Sequence, residues 1–158
     1  MLEISYNKLD GQECKVKIPI SWRDLTWDKY VELTYTKFDN EVHKLAWLTG
    51  IEIQVLLFNP LFLKALIDSC SFIWDEDIEI YSNLVKPDHK KLIENMNIHA
   101  LEWGKFEAAK SEIQRAGEDI NKSAKGIIKT YLDLDVGNLP CIEVIGLTAF
   151  FLRKFTTS

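Results

Sequence analysis

Three histidines, three cysteines and one acidic cluster are the residues of this 158-residue chain whose types suit chemistry. The histidines are His43, His89 and His99, and none of them lies in an HExxH motif or beside a cysteine at metal-ligand spacing. The sequence has no GxSxG, GxGxxG or P-loop motif, so neither a nucleophile elbow nor a phosphate-binding loop is indicated. We therefore expect no catalytic residues, no cofactor and no metal ion.

The acidic cluster "DEDIE" places Asp75, Asp77 and Glu79 at alternate positions, which would put them on one face of a strand. Crowded carboxylates raise one another's pKa values, and a raised pKa suits acid–base catalysis. Solvated charges at a strand edge are the alternative, since they discourage strand-to-strand aggregation. We favour the second interpretation and expect that the protein is not an enzyme.

The cysteines, Cys14, Cys70 and Cys141, are odd in number, far apart and in no CxxC pair. This pattern argues against a disulfide scaffold or a zinc knuckle and favours a reducing compartment. The beginning of the chain shows no charged segment followed by an apolar core, so no signal peptide is predicted. The most apolar run, residues 53–67, is interrupted by Asn59-Pro60 and carries Lys64, so we expect no membrane span.

Composition indicates an ordinary globular protein. Apolar residues make up 47% of the chain and charged residues 27%, which is enough for a core without disulfides or metal. The net charge of −5, with acidic and basic residues interspersed, gives no reason to expect nucleic acid or an anionic membrane as a partner. A single domain over residues 1–158 is predicted.

Hydrophobic periodicity predicts an α+β fold that is mainly α-helical. Alternating apolar residues on both sides of Asp10-Gly11 predict a β-hairpin over residues 1–19. Helical periodicity follows in a first unit, residues 20–71, and in a second unit, residues 87–158. The alternation of Ile78 and Ile80 predicts a strand or small hairpin in between, over residues 72–86.

Helix boundaries are marked by local signals. Thr26 has the side chain of an N-cap, and Leu25 and Tyr30 have the spacing of a hydrophobic staple. Gly50 suits the left-handed residue that ends a helix, and Asn59-Pro60 divides two further helices. In the last predicted helix, residues 140–155, Val144, Leu147, Phe150 and Phe151 should pack on the core.

The spacing of apolar residues in the segment "SWRDLTWDKYVEL" recurs in "NIHALEWGKFEAA" at a constant offset of 76 residues. The aligned pairs are Trp22 with Ile98, Leu25 with Leu101, Trp27 with Trp103, and Tyr30 with Phe106. Two related helical units sharing one core would produce this pattern, although helical chains also produce such matches by chance.

The chain has five tryptophans, which could in principle stack on bases or sugars. Stacking of this kind normally comes with basic neighbours, and these are sparse here. Packing and interface anchoring fit better, because tryptophan is enriched in both. The candidate anchors are Trp22, Leu25, Trp27, Tyr30, Trp103, Phe106, Phe150 and Phe151.

Three short motifs together resemble a family of small proteins encoded among the structural genes of tailed bacteriophages, the crass-like phages included. The first is "ISWRDLTWDKYVEL", which begins at Ile20, the second is "LTGI" at Leu48–Ile51, and the third is "GLTAFF" at Gly146–Phe151. The motifs are structural in character, and because they run from Ile20 to Phe151 the resemblance extends over most of the chain.

The resemblance implies a non-enzymatic virion protein that acts through protein–protein contacts. A ring or connector subunit of a portal–tail complex, or a tail-associated subunit, is the first expectation; a tail assembly chaperone that leaves the particle is the alternative. Either role implies other phage structural proteins as partners, with a homo-oligomer expected for a ring subunit. The resemblance also implies that the protein is located in the host cytoplasm during assembly and, in the first role, in the virion afterwards. The hairpin and the C-terminal helix are the expected contact surfaces.

Overall fold

The computed structural model of the chain describes residues 1–95 and 120–157. In these two ranges an antiparallel pair of strands precedes eight α-helices, which confirms the predicted α+β, mainly helical class with an N-terminal hairpin. The strands are β1 (Leu2–Asn7) and β2 (Glu13–Ile18), and the helices are α1 (Trp27–Tyr35), α2 (Glu41–Thr49), α3 (Ile53–Phe58), α4 (Pro60–Ser69), α5 (Phe72–Asp75), α6 (Pro87–Glu94), α7 (Ile120–Leu132) and α8 (Cys141–Thr157).

The chain forms two compact units, and neither is a single continuous segment. The first unit consists of Met1–Leu25 and Glu32–Asp77, and the second of Thr26–Val31 and Ile78–Ser158. The backbone therefore leaves the first unit at Thr26, returns to it at Glu32 and leaves it again at Ile78.

The hairpin of the first unit follows the predicted alternation. Strands β1 and β2 pair with Leu2 opposite Ile18 and Asn7 opposite Glu13, and the turn is closed by the Gly11 amide, which donates to the Lys8 carbonyl at 2.9 Å. One face of the hairpin is polar and exposed, and the other turns toward the unit, where Tyr6 stacks on Phe62 at 5.8 Å between ring centroids.

Local capping determines where the helices of the first unit begin and end. Asn40 caps α2, since its side-chain oxygen accepts from the His43 amide at 3.0 Å. Gly50 ends that helix in the left-handed region with φ 73°, as predicted. Asn59 caps α4 through the Phe62 amide at 3.2 Å, and Pro60 occupies the first helical position, where its missing N–H costs nothing.

The strand or hairpin predicted over residues 72–86 is wrong. Residues 72–75 form helix α5, and Ile78–Tyr81 form a 3-10 helix. Strand alternation would have placed Ile78 and Ile80 on one face, but Ile78 is 6% exposed and Ile80 is 64% exposed. Successive side chains of a 3-10 helix differ in direction by about a third of a turn, so burying Ile78 leaves Ile80 in solvent.

Helix α8 is central to the second unit, and three of the four residues predicted to pack on the core are buried, whereas Phe150 is half-buried. Val144, Leu147 and Phe151 are buried, and the Phe151 ring lies 5.2 Å from that of Tyr131 on α7. Gly146 on the same helix permits an unusually close approach of the backbone at Leu84. A Cβ at position 146 would lie 1.6 Å from the Leu84 carbonyl oxygen.

The second copy of the aromatic pattern, residues 97–109, and the helix predicted over residues 102–116 lie outside the described residues. The internal pseudo-repeat therefore stays a prediction.

Candidate protein-contact surfaces

The first aromatic segment serves both units. Trp22 and Leu25 are buried in the first unit, whereas Trp27 and Tyr30 are buried in the second. The Trp22 ring meets Phe72 edge-on at 4.9 Å, and its indole Nε1 donates to the Glu76 carbonyl at 2.8 Å. The beginning of the segment therefore contributes to the core of the first unit, and its later part contributes to the core of the second.

The loop before α8 completes the N-terminal turn of α1. Thr26 acts as the N-cap, as predicted, because its hydroxyl oxygen accepts from the Lys29 amide at 3.3 Å. The Trp27 amide donates to the Leu139 carbonyl at 2.8 Å, and the Asp28 amide donates to the Gly137 carbonyl at 3.0 Å. Backbone groups of a distant loop therefore satisfy two amides that the helix itself leaves without acceptors.

The remaining candidate anchors are in the C-terminal half of the chain. Phe151 is 1% exposed, and Phe150 is half-buried with the Arg153 guanidinium 6.0 Å from its ring centroid. Trp103 and Phe106 lie outside the described residues.

The structure describes two of the three histidines, His43 and His89. The His43 ring lies 2.9 Å from the Asn40 side chain, so the same asparagine both caps α2 and contacts the imidazole. His89 is half-buried on α6, and His99 lies outside the described residues. Within residues 1–95 and 120–157, no group of three or more His, Cys, Asp or Glu side chains is placed to hold a metal ion.

The acidic cluster does not form the strand face that its spacing predicted. Asp75 ends α5, Asp77 lies in the following loop and Glu79 is in the 3-10 helix. All three side chains are exposed to solvent. Exposure favours the interpretation of these carboxylates as solvated surface charges.

Two of the three cysteines are inaccessible to solvent. Burial raises the pKa of the Cys70 thiol to about 11 and that of the Cys141 thiol to about 12. The Cys70 Sγ also donates to the Pro19 carbonyl at 3.3 Å. Cys14 on β2 is half-buried.

Titration with a disulfide reagent at pH 8 should therefore detect one thiol quickly in the folded protein and three in denaturant. The thiolate is the reacting species, and at pH 8 the two buried thiols are almost entirely protonated. A Cys14→Ser variant is the control and should show no fast reaction while folded. Fast reaction of two or more thiols in the native protein would contradict the burial of Cys70 and Cys141.

The junction where α3 ends and α4 begins exposes three large apolar side chains. Leu57 is 58% exposed, Phe58 is 75% exposed and Leu61 is 83% exposed. We call these three residues the Phe58 turn. Soluble proteins rarely leave large apolar side chains grouped in water without a binding role, so the turn is a candidate contact surface.

A concave apolar surface lies elsewhere on the first unit. It has a volume of about 230 Å³ and is formed by α2, α4 and α5, with the lining residues Glu41, Val42, Leu45, Leu63, Ile67 and Trp74. We call it the Trp74 groove. Neither surface is predicted from the sequence. The only signal for them is the apolar run of residues 53–67, which has more large apolar side chains than a helix with one buried face needs.

The hairpin, which the sequence predicts as a contact surface, presents a different chemistry. Its outward face carries opposed polar pairs, with Glu3 opposite Lys17 and Ser5 opposite Lys15. These side chains are exposed and hydrophilic, so this face of the hairpin presents polar groups to a partner.

Within the two described ranges, no helix has both the length and the apolar composition required to cross a membrane. Comparison of the chain with protein-family models, with curated proteins and with solved structures finds no match.

Proposed function

We propose that this chain is a non-enzymatic structural subunit of a tailed-phage particle, a ring, connector or tail-associated protein that acts through protein–protein contacts. In this proposal it associates with copies of itself and with other phage structural proteins. It is present in the host cytoplasm during assembly and afterwards in the virion.

The observation that carries the proposal is the exposed Phe58 turn together with the apolar Trp74 groove. Burial of apolar surface is the main favourable term in protein association, and such surfaces on a folded subunit suit assembly. The resemblance of the "ISWRDLTWDKYVEL", "LTGI" and "GLTAFF" motifs to phage structural proteins supplies the biological setting.

Quantitative mass spectrometry of purified particles tests the proposal. Peptides of this chain should occur in particles of the encoding phage at a fixed ratio to the portal protein, and this ratio should persist through a second density-gradient purification. The infected-cell lysate is the control for expression. A chain that is abundant in the lysate but missing from particles would overturn the proposal and favour an assembly chaperone.

A further inference from the structure

The Trp74 groove is apolar on its walls and has one acidic residue at its edge. Its Trp74 and Ile67 side chains are 38% and 40% exposed, so they are open to a partner. The Trp74 indole N–H donates to the Glu41 carboxylate, and this bond holds the indole ring in place beside α2. A groove whose largest side chain is already fixed loses little side-chain freedom when it is occupied.

The Phe58 turn is convex and is also held in place before any contact. Asn59 caps α4, Pro60 restricts the backbone, and the Asn59 amide donates to the Leu56 carbonyl at 3.4 Å. The exposed Leu57, Phe58 and Leu61 are therefore presented by an ordered turn between two helices.

The volume of the Trp74 groove suits an aromatic side chain. A protein cavity of about 150 Å³ lined by Leu, Ile and Phe side chains accepts a benzene molecule. The Trp74 groove, at about 230 Å³, has room for one phenyl ring and part of a leucine side chain. Phe58, with 75% of its surface exposed, offers such a ring.

On α4, the residue of the turn and the residues of the groove point in different directions, so a copy cannot place its own Leu61 in its own groove. On α4, side chains advance by about 100° per residue, which places Leu61 about 160° from Leu63 and about 120° from Ile67. Leu61 belongs to the turn, and Leu63 and Ile67 line the groove. Two unlike surfaces can pair reciprocally in a two-fold dimer or head to tail, and only the head-to-tail arrangement leaves a turn and a groove open for further copies.

Charge gives a smaller contribution. Lys64 is exposed and lies one helical turn after Leu61, while Glu41 is at the edge of the groove. A Lys64 beside an inserted turn would bring a cation to this acidic edge. The first unit as a whole has 12 acidic and 7 basic side chains, so burial of apolar surface has to drive the contact against a net charge of −5 per unit.

We propose that a second copy of this chain inserts its Phe58 turn into the Trp74 groove, so that copies associate head to tail through the first unit. This inference rests on the proposed function, in which the chain is a self-associating subunit, and it names the two surfaces that meet. Such contacts close into a ring when the rotation between neighbours permits it, and otherwise extend into a filament.

Sedimentation velocity of the purified full-length chain over a range of concentrations tests the inference. The unchanged protein should form larger species as its concentration rises. Phe58→Asp in the turn and Ile67→Asp in the groove should each weaken association by about tenfold or more, because each places a charge in an apolar contact. Leu9→Asp is the matched control; Leu9 is 60% exposed on the hairpin turn, and its replacement should leave association unchanged.

Mixing the two variants gives the decisive measurement. Phe58→Asp retains an intact groove and Ile67→Asp retains an intact turn, so an equimolar mixture should form one-to-one dimers that do not grow further. Circular dichroism and urea unfolding establish that both variants remain folded.

Three results would overturn the inference: an unchanged protein that stays monomeric at every concentration, a mixture that stays monomeric, or a Phe58→Asp variant that still self-associates. Failure here is distinct from failure of the proposed function. A monomeric chain present in particles at a fixed ratio would remove the head-to-tail contact and leave the structural role in place. A head-to-tail oligomer that is missing from particles would support the contact and remove the structural role.

Discussion

Replacing Gly146 by alanine should destabilise the protein by about 3 kcal/mol or more, although alanine is the better helix former. The change in helix propensity favours alanine by about 1 kcal/mol. The new methyl group, however, would lie 1.6 Å from the Leu84 carbonyl oxygen and 3.2 Å from that of Tyr81. Both neighbours are backbone atoms, so relief requires the turn at residues 81–84 to move away from α8. The steric clash outweighs the gain in helix propensity, so the net effect of the substitution is destabilising.

Urea unfolding followed by circular dichroism measures this effect. Ala149→Gly on the same helix is the control, since it reverses the propensity change and should cost about 1 kcal/mol. For a chain of this size a loss of about 3 kcal/mol corresponds to a decrease in Tm of roughly 6–12 °C. A Gly146→Ala variant as stable as the unchanged protein would show that α8 and Leu84 are not in close contact.

Truncation of Trp22 to alanine should cost about 3–5 kcal/mol, the range for removing a large aromatic side chain from a core. Trp22 is 6% exposed, packs edge-on against Phe72 and donates to the Glu76 carbonyl at 2.8 Å. Since domains of this size have only about 5–15 kcal/mol of stability, the variant should unfold at a clearly lower urea concentration than the unchanged protein.

Two further variants separate the parts of this effect. Trp22→Phe keeps an aromatic ring but removes the indole donor, and should cost about 1–3 kcal/mol. Phe58→Ala, at 75% exposure, removes an aromatic side chain from solvent and should change the free energy of unfolding by less than about 0.5 kcal/mol at dilute concentration. Equal losses for Trp22→Ala and Phe58→Ala would contradict the assignment of Trp22 to the core.

The elements that could be predicted from the sequence are those defined by neighbouring residues. Asp10-Gly11 predicts the hairpin turn, Gly50 predicts the end of α2, and Asn59-Pro60 predicts the break between α3 and α4; the structure confirms all three. Each signal acts within about four residues, so no knowledge of the rest of the chain is needed.

The elements that could not be predicted depend on distant residues. Ile78 and Ile80 alternate as a strand would, but they lie in a 3-10 helix in which Ile78 is buried and Ile80 is exposed. The Trp74 groove likewise exists only because Trp74 and Glu41, 33 positions apart, meet across two helices. The sequence contains the apolar residues of both contact surfaces without indicating which of them stay in water.

The amide-to-carbonyl bonds that complete the first turn of α1 have a consequence for synthesis on the ribosome. The Trp27 amide pairs with the Leu139 carbonyl, 112 residues later in the chain (139 minus 27). A nascent chain therefore exposes α1 before its acceptors have been synthesised, and these two bonds form only after residues 137–139 have left the ribosome. Contacts between residues that are far apart in the sequence form slowly, because the loop between them has to close first. A translation product that ends before residue 137 should consequently lack the acceptors of both amides.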